Sequence, residues 1–91
     1  MLDPDFWYKK GAADYSSGSF EEAAKSLKKA TERDPLFVEA WYLLGESLRK
    51  TQRYSEATES FETALDISPD HAKSWRGKAI ALNELERHEE A

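Results

Sequence analysis

Apolar residues in this chain recur in steps of three and four. Trp41, Leu44, Gly45 and Leu48 fall at i, i+3, i+4 and i+7, and after a break at Thr51 to Arg53 the step resumes through Tyr54, Ala57, Phe61, Ala64 and Leu65. Such spacing buries one stripe of a helix, whereas a strand would alternate. Carried along the chain, it predicts helices near 4–17, 20–33, 38–51, 54–67 and 72–85. The boundary signals agree. Asp3 is placed to cap a helix that begins at Pro4, and Ser19 with Glu22 has the spacing of a capping box. Gly18 suits a left-handed turn between the first two helices. Gln52 and Arg53 stand where Gly18 and Ser19 stood, so the second hairpin is expected to be less well capped. "RDP" and "ISP" close the second and fourth helices, because proline lacks an amide donor and restricts the residue before it.

The helices come in a longer cycle. Trp7, Trp41 and Trp75 are 34 residues apart, and Gly11 answers Gly45 and Ala79 at the same offset. So do Phe20, Tyr54 and His88; Ala23, Ala57 and Ala91; Glu22, Glu56 and Glu90; Ala30 and Ala64; Pro35 and Pro69. This divides the 91-residue chain, one small domain, into a first repeat of about 4–37, a second of about 38–71 and a partial third of about 72–91. Small residues at fixed places let helix backbones approach closely while Trp and Phe fill the wider gaps.

"AWYLLGESLRKTQRYSEATESFETALDISP" resembles one nearly complete tetratricopeptide repeat, through Trp41, Leu44, Gly45, Leu48, Tyr54, Ala57, Phe61, Ala64 and Pro69. The outer repeats depart from the pattern with Lys10 and Lys78 where Leu is expected and with Asp14 where a large residue is usual. The resemblance implies an all-α, right-handed superhelical solenoid of antiparallel helix pairs, five helices in all. It also implies a concave surface lined by the first helix of each pair. Trp41, Leu44 and Leu48 are then core, and the positions off the buried stripe form a groove.

By that analogy the groove holds Asp5, Tyr8, Lys9 and Ala12, then Glu39, Tyr42, Leu43, Glu46, Arg49 and Lys50, then Lys73, Arg76, Gly77, Ile80, Asn83 and Glu84. Five bases against four acids make this face +1 in a chain of formal net charge −5. Tyr, Leu and Ile flanked by Arg and Lys suit a peptide or protein segment with apolar and some acidic side chains. The best candidates for contact are Tyr8, Lys9, Ala12, Tyr42, Leu43, Glu46, Arg49, Lys73, Arg76 and Ile80. One subclass of the family clamps the C-terminal dicarboxylate of the Hsp70 and Hsp90 chaperones. That clamp needs Lys in place of Tyr8, Asn in place of Ala12 and Leu43, and Lys and Arg at 73 and 77. Only Lys73 agrees, so a full clamp is not expected.

Composition removes other classes. There is no cysteine, hence no disulfide and no thiolate zinc site. The acidic balance opposes nucleic acid. No apolar run approaches the roughly 20 residues of a membrane span, and "MLDPDFWYKK" lacks the basic start and apolar middle of a signal peptide, so a cytoplasmic protein is expected. His71 and His88 lack metal-ligand spacing, no Ser, His and acid cluster can be assembled from the sequence, and no glycine-rich phosphate loop exists. Neither a cofactor nor enzymatic activity is expected. Lys25 to Lys29 reads as surface pairing with nearby glutamates, and Glu59, Glu62 and Asp66 as solvated outer face.

The leading reading is a binding scaffold. The alternative is an assembly module, because the fifth helix carries Trp75, Ala79, Ile80, Leu82 and Leu85, too many apolar residues for one buried stripe. Either the chain is a segment of a longer protein, or it forms a homo-oligomer through Trp75, Leu82 and Leu85.

Overall fold

A computed structural model describes residues 2–90, with side chains through His88, so the repeat equivalences drawn to Glu90 and Ala91 lie outside the described side chains. Five α-helices follow one another: α1 (Pro4–Ser16), α2 (Phe20–Arg33), α3 (Val38–Lys50), α4 (Tyr54–Ile67) and α5 (Ala72–Glu90). No strand occurs among the described residues. The helices form a slab of 44 × 28 × 17 Å in which each packs chiefly on its neighbours in sequence, with lesser contacts of α3 to α1 and α5. That stacking is the solenoid the resemblance implied.

The first helix starts as expected, the Phe6 amide donating to Asp3 Oδ1 at 2.9 Å with Pro4 in the first turn. The expected capping box at Ser19 does not form: Ser19 makes no side-chain cap, and its hydroxyl lies 3.4 Å from that of Ser17. Backbone closes the turn instead. Ser19 N donates to Asp14 O at 2.8 Å and Gly18 N to Tyr15 O at 3.0 Å, around Gly18 at φ 85°. The second hairpin repeats this closure, with Arg53 N on Leu48 O at 2.9 Å and Gln52 N on Arg49 O at 3.0 Å, around Gln52 at φ 65°. Its turn is therefore as fully bonded as the first, correcting the expectation of a poorer cap. The difference is that Gln52 bears a left-handed conformation without being glycine.

The fifth helix departs further, running to Glu90 where a turn was expected near 85. Glu86 stands one period after Gln52. A left-handed non-glycine residue costs about 1–2 kcal/mol, which packing of α4 on α3 offsets at Gln52. At Glu86 the helix continues instead, glutamate being a good helix former.

The core is built from Leu27, Leu44, Leu48, Phe61 and the alanines at 23, 30, 40, 57, 64 and 81. Gly11 abuts Leu27, and Gly45 and Gly77 both abut the ring of Phe61. Gly77 thus belongs to the core and not to the groove in which the repeat analogy had put it. The tryptophans are less buried than expected, Trp41 being half-buried and Trp75 exposed. Their period has a hydrogen-bonding cause: Trp41 Nε1 donates to Pro35 O at 2.8 Å and Trp75 Nε1 to Pro69 O at 2.7 Å. Each pair locks an inter-repeat linker onto the helix that follows it. Trp7 Nε1 is buried without a partner among the described residues.

The lysines that broke the pattern are accounted for by ion pairs. Lys10 lies 3.1 Å from Asp14 and Lys78 reaches across to Glu62 on α4 at 3.3 Å.

Candidate functional site

Helices α1, α3 and α5 bring one face of each repeat together. Tyr42, Glu46, Arg49, Lys73, Arg76 and Ile80 line a single concavity of about 250 Å³ between α3 and α5. All six were expected there. Arg49, Lys73 and Arg76 face one carboxylate, Glu46, in this lining. Glu46 is buried and its Oε2 lies 2.6 Å from Arg49 Nη2. Burial opposes the Arg49 charge most strongly of any single influence, yet the hydrogen bond to Glu46, the attraction of that carboxylate and the neighbouring Tyr15 and Tyr42 together outweigh it and hold the guanidinium above its ordinary pKa. Lys73 and Arg76 are exposed and have no ion-pair partner among the described residues. The concavity therefore combines a fixed, internally neutralised pair with two free cations beside an aromatic and an aliphatic wall.

The remaining expected residues are distributed differently. Tyr8 packs on Phe37 with ring centroids 4.9 Å apart, toward the α1 end, and Ala12 is half-buried nearby in α1. Lys9 is exposed and paired with Asp5 at 3.0 Å. Leu43, like Tyr42 and Trp41, packs against the core, so the sharp division between a buried Trp41 and a free Tyr42 and Leu43 does not hold. The reason is the central position of α3, which contacts every other helix and has little surface to spare.

Tyr15 was missed. Its hydroxyl lies 3.5 Å from Glu46 Oε2, and its position is that of Arg49 one repeat earlier, so the 34-residue register would have found it. Burial, and then the neighbouring Glu46 carboxylate, raise the pKa of both Tyr15 and Tyr42, while burial and Glu39 raise that of Tyr8.

A serine, histidine and carboxylate do meet, contrary to the sequence reading. His71 Nδ1 lies 2.7 Å from Ser74 Oγ and Nε2 lies 2.8 Å from Glu39 Oε1. Glu39 comes from a helix 32 residues away in sequence, which is why no local spacing announced it. Ser74 is 0% exposed, so no substrate atom reaches its hydroxyl. The trio instead ties the start of α5 to α3, with the His71 ring 5.4 Å from that of Tyr42. Among the described residues no group of three His, Asp or Glu is placed to hold a metal, and no helix is long and apolar enough to cross a membrane.

An array of stacked helical hairpins with a lined concave face defines a class of helical-repeat protein that serves generally as a protein-interaction module. The tetratricopeptide repeat family model matches residues 8–72 and again 46–91, and the chain belongs to that family. It is similar to the crystal structure of the Sgt2 tetratricopeptide repeat domain from Aspergillus fumigatus, with TM-score 0.91 and 25% identity over 98% of this chain and 60% of that one. It is also similar to MamA, with TM-score 0.89 and 19% identity over 97% of this chain and 48% of that one, a likeness of fold. A MamA point variant gives TM-score 0.87 and 28% identity over 98% of this chain and 49% of that one. The chain thus spans about half to three fifths of the length of these proteins. No curated protein sequence matches it.

Proposed function

We propose that the chain is a protein-interaction scaffold without catalytic activity of its own, which takes a peptide segment in its concave face. The observation that carries this reading is the concavity of Tyr42, Glu46, Arg49, Lys73, Arg76 and Ile80. Lys73 and Arg76 attract a carboxylate, while Tyr42 and Ile80 give an apolar side chain a wall to cover. Arg49 is held by Glu46 and contributes shape more than free charge. The partner is a segment with an apolar residue next to acidic ones. A full dicarboxylate clamp is not part of this reading, because Tyr8, Ala12 and Leu43 cannot supply its polar groups and Gly77 is buried on Phe61. The test is calorimetric titration with a blocked synthetic peptide in which leucine is flanked by glutamates. Lys73→Glu combined with Arg76→Glu should weaken binding about ten-fold or more, with the loss shrinking as salt rises. Unchanged affinity in that variant overturns the reading.

A second reading, self-assembly, is favoured by a separate observation. Trp75 is 52% exposed and Leu82 43% exposed, at the positions that in the preceding repeat are the half-buried Trp41 and the buried Leu48. Leu85 is not part of that stripe; it is half-buried beside Tyr54 and His88. Concentration-dependent sedimentation abolished by Leu82→Lys supports assembly, and a monomer at millimolar concentration refutes it.

A further inference from the structure

A second concavity, of about 400 Å³, opens where α2, α3 and α4 meet. Its apolar lining is Trp41, Leu44 and Leu48, and three glutamates, Glu32, Glu56 and Glu59, line it with a single cation, Lys28. All three glutamates are exposed and none is engaged in an ion pair among the described residues. Three carboxylates against one lysine leave the cleft at −2.

The internal repeat shows what such a tryptophan accepts. In the first repeat Lys29 Nζ sits 4.3 Å from the centroid of the Trp7 ring, and in the third Lys78 Nζ sits 5.5 Å from that of Trp75. Each indole thus has a cation from its own chain over one face of its ring. The residue one period after Lys29 is Thr63, which lines the cleft and turns its hydroxyl back onto Glu59 O at 3.0 Å. Lys25 is likewise replaced one period later by Glu59. Among the described residues no cation lies over Trp41. Its N–H is committed to Pro35 O, so the indole is fixed while it lines the cleft.

We infer that this cleft is a second docking site, which receives the arginine or lysine side chain of a basic segment in a partner protein. The charged head takes the place over the half-buried Trp41 indole that Lys29 takes over Trp7, the aliphatic stem follows the cleft beside that ring, and the exposed Glu32, Glu56 and Glu59 neutralise the charge. The charge preference is opposite to that of the concave face, where Lys73 and Arg76 repel a basic segment. One scaffold could then hold an acidic and a basic segment at once without competition.

The probe is a blocked peptide of alternating arginine and glycine, followed by the indole N–H signals of the isotope-labelled protein. The Trp41 signal should shift more than those of Trp7 and Trp75, and replacing arginine by neutral citrulline should abolish the shift. Thr63→Lys supplies in cis the cation that the first repeat already has. It should reduce affinity about ten-fold or more, whereas Lys73→Glu with Arg76→Glu should not reduce it. Glu59→Gln, at an exposed position, should weaken binding in the same direction without filling the cleft. Equal binding of the citrulline peptide, a Thr63→Lys protein that binds as well as wild type, or a Trp41 shift that depends on protein concentration alone overturns the proposal.

Discussion

Gly77→Ala is the sharpest test of how the third repeat is seated. A Cβ on Gly77 would stand 2.5 Å from both Cε1 and Cζ of Phe61, and one on Gly45 would stand 2.7 Å from Cε1. The ring is fully buried, so it cannot swing into solvent. Ordinary carbon contacts need about 3.5 Å or more, so the ring or α5 must move by about 1 Å. Overpacking of this kind costs roughly 1–3 kcal/mol, while replacing a mid-helix glycine by alanine returns about 1 kcal/mol of helix propensity. The net expectation is a loss of up to about 2 kcal/mol, and each kcal/mol is a drop of roughly 4–8 °C in Tm for a domain this size. Urea unfolding of a double-mutant cycle with Phe61→Leu separates the two contributions. With the ring removed, Gly77→Ala should become neutral or stabilising by up to about 1 kcal/mol, leaving a coupling of about 1–3 kcal/mol. Equal stabilisation in both backgrounds would show that α5 does not approach Phe61 as described.

Gln52→Gly should stabilise the chain by about 0.5–1 kcal/mol in urea unfolding, since relief of the left-handed backbone exceeds the added flexibility of the unfolded chain; destabilisation would mean that this turn closes in another way. Tyr8, Tyr15 and Tyr42 all have raised pKa values in the folded state, so the stability they confer is fully present at neutral pH and is lost as pH rises through and beyond the ordinary tyrosine value of about 10. Phenolate absorbance during alkaline titration should lag behind that of the urea-unfolded chain, and coincident curves would contradict the burial described.

The helical pairs were legible because the signals for them are local and repeated: the stripe at Trp41, Leu44, Gly45 and Leu48, the cap at Asp3, the turn at Gly18. What the sequence concealed is non-local. Gly77 looked like a groove residue until Phe61, from another helix, proved to occupy the space in front of it. The Ser74, His71 and Glu39 trio joins the start of α5 to α3, with Glu39 32 residues from His71 in sequence. Six of the residues that the family resemblance put in the groove line the concavity between α3 and α5, since these two first helices present equivalent positions to the same side. Tyr42 and Leu43 were misjudged as free of the core because α3 is enclosed on more sides than a terminal helix.

The concave face is where the partner segment is expected to lie. Backbone and side-chain NMR of the labelled chain, titrated with the blocked leucine and glutamate peptide, tests that most directly. The predicted result is a set of shifts concentrated at Tyr42, Arg49, Lys73, Arg76 and Ile80, saturating with peptide and weakening as salt is added. Silence at these five positions up to millimolar peptide, or shifts centred on Trp75 and Leu82 instead, would contradict it.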